Sequence, residues 1–203
     1  TEKYKEKFNT DLKKLQKIIK NNSPLIHHIS NNVTVNDCAN ITLNWGALPV
    51  MAPSKEESAE MVESASALVL NLGTISGSQL ESMLKAGRKA NKLGIPVILD
   101  PVGVGATEFR TEAAQQILSE LKVELIKGNK GEISFLAGKA AEVKGVESVG
   151  EYEDIEKSAA QLAEKLRAVV VVSSEQDLIT DGSRSAEIKR GHYLMGEVVG
   201  IGC

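Results

Sequence analysis

Gly200-Ile201-Gly202-Cys203 puts two residues without side chains and a thiol into four positions. Two glycines flanking one residue let main-chain N–H groups come very close to a charged ligand. A helix starting there would add free N–H groups that favour an anion. A cysteine beside that anion could handle the proton of a hydroxyl, and the combination suits phosphoryl transfer to an alcohol. An ordinary glycine turn explains the same four residues, and the motif alone does not separate the two readings.

Other chemistry-bearing residues stand at the ends of apolar runs. Asp100 directly follows the run 95–99, where a carboxylate can hold Mg2+ through water or orient phosphates. Beside Pro101 it can equally serve as a turn former. Asn129 and Glu132 have the spacing of a helix cap and its third residue, a near capping box. That geometry would also gather both side chains where a hydrated metal and phosphates can be held. Ser173, Ser174, Asp177 and Asp181 surround the end of a valine run, suited to a nucleotide's phosphates or ribose and also to turns. Met51 ends another run, as a core residue or as a thioether against a sulfur heterocycle. The loop Gly103-Val104-Gly105-Ala106-Thr107 fails the dinucleotide pattern G-x-G-x-x-G, because Glu108 takes the last place. It supports a phosphate-tolerant loop and disfavours a nicotinamide oxidoreductase. His27 and His28 are adjacent on a predicted strand and point to opposite faces, which argues against a shared metal.

The elements that must position these groups alternate. Helical spacing of Tyr4, Phe8, Leu12, Leu15 and Ile19 predicts a first helix, ended by Asn21-Asn22-Ser23-Pro24. A strand over 25–29 follows, then a helix capped by Thr34 and stopped by Gly46 after Trp45. Residues 47–51 read as a strand, and Ser54 with Glu57 as a capping box for the next helix. Further strands are expected over 67–72, 95–99, 123–126 and 169–172. Helices are expected from Ser76 to Gly94, from a Thr111 cap to Leu121, over 130–137, and over 155–166. Residues 138–150 read as a polar, glycine-containing connection, and Asp181-Gly182 as a hairpin turn. Runs that are apolar throughout call for a mostly parallel sheet with helices on both faces. Its carboxyl-end edge is where ligands bind in open α/β sheets.

At 203 residues one domain over 1–203 suffices, and 42% hydrophobic with 25% charged residues is ordinary for a globular chain. A net charge of −3 gives no reason to expect nucleic acid or an anionic membrane as partner. No apolar run reaches the length of a bilayer span, and the lysine-rich start lacks the apolar core of a signal peptide. Cys38 and Cys203 form no disulfide framework or metal spacing, so a cytoplasmic setting is expected, with Cys38 as a small buried apolar side chain.

Taken together, Pro24-Leu25-Ile26-His27, Asn31 with residues 33–40 (V-T-V-N-D-C-A-N), Pro49-Val50-Met51-Ala52, residues 100–107 (D-P-V-G-V-G-A-T), Gly128-Asn129 with Glu132, and the final G-x-G-C resemble the hydroxyethylthiazole kinase family of the ribokinase-like superfamily. The resemblance spans about residues 24–203. It implies ATP- and Mg2+-dependent phosphorylation of 4-methyl-5-(2-hydroxyethyl)thiazole in thiamin salvage. By position it implies that Asn31, Met51 and Gly200 touch the thiazole and that Lys127 and Ser173 face ATP. Asp100, Asn129 and Glu132 would serve metal and phosphates. The amides of Gly200, Ile201, Gly202 and Cys203 would form an anion hole, with Cys203 the catalytic thiol. A homotrimer with the pocket at a subunit interface is also implied, as is a chain shortened at Cys203, since the family continues into further helices. Departures include Ile201 for threonine, Lys127 for arginine, Ser173-Ser174 for Thr-Gly, and His28 and Asn32 where cysteine and tyrosine are common. A sister kinase acting on a hydroxymethylpyrimidine and a non-catalytic heterocycle-binding module remain as alternatives.

Overall fold

The computed structural model describes the backbone of residues 2–138 and 154–203, with side chains from residue 11 onward. Most of the polar connection expected over 138–150 lies outside the described residues. The elements run α1 (Glu2–Asn22), β1 (Leu25–Ile29), α2 (Val35–Trp45), β2 (Leu48–Val50), α3 (Ser58–Val62), β3 (Ala67–Asn71), α4 (Gly77–Leu93) and β4 (Val97–Asp100). There follow α5 (Glu108–Glu120), β5 (Leu125–Asn129), α6 (Lys130–Leu136), α7 (Ile155–Leu166), β6 (Val169–Ser173), β7 (Asp177–Thr180), β8 (Ser185–Ile188) and a short 3-10 helix, Tyr193–Glu197.

The strands form one sheet in the order β2-β1-β3-β4-β5-β6-β7-β8. Every pair from β2 to β6 is parallel, and β7 and β8 add an antiparallel hairpin at the edge. The expected mostly parallel α/β sheet is therefore observed, with Asp181-Gly182 in the hairpin turn. Register lines up Leu70, Leu99, Ile126 and Val170 as one row across four strands, all fully buried. Each such side chain contributes about 1.5–3 kcal/mol through burial. Val69, Ile98, Leu125 and Val169, one step back on the other face, are only half-buried, so the two faces are unequally covered. Met83, Ala86 and Ala90 of α4, Ile117 of α5, and Ala159 and Leu162 of α7 complete the core.

Three expected caps differ. The Thr34 hydroxyl makes no cap bond to α2: at φ −119°, ψ 4° the residue is not in the extended conformation of an N-cap, and its hydroxyl donates to Asn31 Oδ1. Ser54 and Glu57 form no capping box: residues 55–57 are a turn, and α3 begins only at Ser58 without a side-chain cap. Thr107, not Thr111, caps α5 by accepting from the Arg110 amide. Thr111 lies one turn into that helix, where its hydroxyl donates back to the Thr107 carbonyl. Cys38 is half-buried rather than buried, with its thiol toward Thr34 Oγ1. Among the described residues no helix is long and apolar enough to cross a membrane.

Candidate active site

Because β1, β3, β4, β5 and β6 are parallel, Asn31, Asn71, Asp100, Asn129 and Ser173 all fall at the carboxyl edge of the sheet. Asn31 lies two residues beyond β1 and is almost fully buried. Its Oδ1 accepts from the amides of Val33 and Thr34, at 3.0 Å each. Since main-chain N–H groups only donate, this fixes the orientation of the side chain. Its Nδ2 therefore faces Asn71 Oδ1 at 2.9 Å and Cys203 Sγ at 3.5 Å. Asn71 Oδ1 also accepts from the Gly73 amide at 2.9 Å, and its Nδ2 donates to Asp100 Oδ2 at 3.0 Å. Gly73 is needed for this approach: a Cβ there would sit 2.8 Å from Asn31 Cβ.

Asp100 is buried, 6% exposed. Burial pushes its carboxyl up to about 7, opposed by the Lys127 ammonium and reinforced by the charge of Glu132. Lys127 Nζ lies 3.8 Å from Asp100 Oδ2 and also donates to the Gly202 carbonyl. The final turn thus reaches the rim from both sides, through Asn31 to Cys203 and through Lys127 to Gly202. Gly200 has φ +86°, and a Cβ there would run into the Thr34 Cγ2 methyl. Within the turn the Ile201 amide donates to Val198 O and the Cys203 amide to Gly200 O. Of the four amides expected to bind an anion together, two are committed in this way.

Glu132 and Asn129 form the full capping box of α6. Glu132 Oε2 accepts from the Asn129 amide and Oε1 from the Gly103 amide, at 2.8 Å each. The capping reading of this pair is observed, and Glu132 also holds the Gly103 amide of the loop that follows Asp100. A dication fits this chemistry: Asp100 is a desolvated carboxylate with a second carboxylate nearby. With its oxygens occupied by amides, Glu132 offers charge and Asp100 offers the oxygen, through water. Among the described residues no group of three His, Cys, Asp or Glu side chains forms a ready-made metal cage.

Met51 and Ser173 stand apart from the central contacts. Met51 follows β2 and is half-buried; the next carbonyl, Ala52 O, is 3.1 Å from His27 Nε2. Ser173 ends β6 and donates to the Gly128 carbonyl at 3.2 Å. Sequence reading missed Asn71, which lacks any local motif, and the 3-10 helix that leads into the final turn.

Residues 15–203 match the profile described as the hydroxyethylthiazole kinase family. The hydroxyethylthiazole kinase of Thermoanaerobacter pseudethanolicus is 56% identical over 191 residues, 94% of this chain and 72% of that protein. A structure of the hydroxyethylthiazole kinase protein from Pyrococcus horikoshii OT3 superposes with a TM-score of 0.83 at 41% identity, over 93% of this chain and 70% of that one. An adenosine kinase from Schistosoma mansoni, with a TM-score of 0.51 at 14% identity over 87% of this chain and 62% of that one, shares the fold alone. With the ordered motifs, the rim geometry and a match over nearly its whole length, this chain belongs to the hydroxyethylthiazole kinase family.

Proposed function

We propose that this protein transfers the γ-phosphoryl group of ATP to the primary hydroxyl of 4-methyl-5-(2-hydroxyethyl)thiazole. The observation that carries the reading is the convergence of Asn31, Asp100, Lys127 and Cys203 on one rim, in a chain of this family. Asn31, Met51 and Gly200 line the thiazole side, and Lys127 and Ser173 the nucleotide side. Positioning and charge stabilisation carry such a transfer. The Gly200 and Gly202 amides, the two not committed within the turn, serve the moving phosphoryl group, and Cys203 accepts or orients the hydroxyl proton. Lys127 offsets phosphate charge, and Asp100 orients the metal-bound nucleotide, with Asn129 and Glu132 holding the loop and helix that frame it. Mg2+ bound with ATP supplies neutralisation of the phosphate oxygens. Two free cysteines, one in the proposed mechanism, suit a reducing cytoplasm.

A homotrimer with an interfacial pocket is supported by the outer face of α2. That helix buries no residue, and Ile41 and Trp45, one turn apart on the same face, are about half exposed. Exposed apolar side chains one turn apart on a helix suit an interaction face.

The test is ADP release by purified protein with ATP and Mg2+, across a panel of the thiazole, a hydroxymethylpyrimidine and other small alcohols. Thiazole-dependent turnover is expected. Turnover with the pyrimidine alone would favour the sister kinase, and calorimetric thiazole binding without turnover would favour a binding module; either refutes the proposal.

A further inference from the structure

Asn71 belongs to none of the roles above, yet it connects two of them. It is 3% exposed, and all its hydrogen-bonding capacity seen here points into the rim. The Gly73 amide must meet an oxygen, so Oδ1 faces Gly73 and Asn31, and Nδ2 faces Asp100. One planar amide therefore reaches the thiazole-side asparagine with its acceptor and the nucleotide-side carboxylate with its donor. The register makes this possible, because Asn71 pairs directly with Asp100 across β3 and β4.

We infer that Asn71 is a positioning residue that ties the alcohol pocket to the phosphate rim, acting on acceptor binding through Asn31 and on turnover through Asp100. This rests on the function proposed above. Its Oδ1 adds a further contact to an Asn31 oriented by the Val33 and Thr34 amides, holding Nδ2 within reach of Cys203 Sγ, while its Nδ2 holds Asp100.

Asn71→Ser cannot span either gap. It should raise KM for the thiazole and lower kcat by about tenfold each, the usual factor for losing a hydrogen bond and stranding its buried partner. Asn71→Asp keeps an oxygen for Asn31 and Gly73 and should bring the thiazole KM back to near the wild-type value. In an Asn31→Ala background Asn71→Ser should leave KM almost unchanged, because the partner through which it acts is gone. A merely structural residue would lower the melting temperature and give the same KM factor in both backgrounds, which overturns the inference. Asn71→Thr, which fills more of the space, is read the same way should the serine variant fail to fold. Turnover by the wild-type protein tests the function itself. If that fails, the Asn31 side-chain amide signals, assigned by their loss in Asn31→Ala, still decide the coupling. They should move in Asn71→Ser and return in Asn71→Asp; signals unmoved in Asn71→Ser would overturn it.

Discussion

Gly200→Ala isolates the position of the final turn from the stability of the rest. A β-carbon at Gly200 would meet the Thr34 Cγ2 methyl far inside the 3.4–4 Å of ordinary contact. The turn must then retreat by about 1 Å or more to restore normal carbon–carbon separation. A displacement of that size at a reacting group costs roughly a hundredfold in rate. The positive φ adds about 1–2 kcal/mol for a residue with a side chain. Residues 201–203 are exposed, so the core is untouched and the melting temperature should hardly move. Thr34→Ser supplies the control. It keeps the hydroxyl that bonds Asn31 Oδ1 but removes the methyl, leaving Thr34 Cβ at 3.3 Å, tight by only a few tenths of an ångström. Steady-state kinetics on Gly200→Ala should show kcat down by about a hundredfold, and Gly200→Ala with Thr34→Ser should regain about tenfold of it, the backbone strain remaining. Full activity in the single variant, or no gain in the double, would refute the placement of the turn against Thr34.

Three further outcomes follow from the charges around the site. Asp100 titrates at about 7 in the fold against an ordinary 3.8, so the native state holds its proton more tightly. Stability from that preference is complete below pH 3.8 and lost as pH rises through about 7; Asp100→Asn should flatten the fall in melting temperature over that window while abolishing turnover. His28 is pushed down to about 4 from 6.5, first by burial and then by His27. Its contribution is present above pH 6.5 and lost as pH falls toward 4, and His28→Asn should remove that acid-side loss in thermal melts. Lys127→Ala should raise KM for ATP about tenfold by removing a charged donor, with Lys127→Arg restoring it and the thiazole KM little changed in both.

What could be read in advance was local. The strand Leu25–Ile29 and the helix Ile155–Leu166 follow from side-chain periodicity within their own windows, and both have the expected bounds. Caps were less legible, because threonines at 107 and 111 both suit the role and the choice depends on what each meets. Thr111 is one turn inside α5 and serves Gly105 from there. Thr34 is held instead by Asn31, whose amide oxygen accepts from both its amide and its hydroxyl. The unequal burial of the two sheet faces was not legible for a similar reason: valines and isoleucines look alike on both, while Leu68, Leu70, Val97 and Leu99 are fully buried and Val69 and Ile98 only partly so. Asn71 carried no signal at all. Its meaning appears only when β3 and β4 lie side by side and Asp100 comes level with it. The approach of Lys127 to Gly202, 75 residues apart in the chain, likewise has no trace in spacing.

The proposed transfer needs a thiol and a main-chain turn to meet an alcohol and a phosphate at the Asp100 rim. A crystal structure with the hydroxyethylthiazole, Mg2+ and a non-hydrolysable ATP analogue tests this most directly. The thiazole's hydroxyl oxygen should lie within hydrogen-bond reach of Cys203 Sγ, with the γ-phosphoryl group between the 200–203 turn and Asp100. A hydroxyl bound away from Cys203, or a nucleotide whose phosphates avoid that rim, would contradict it.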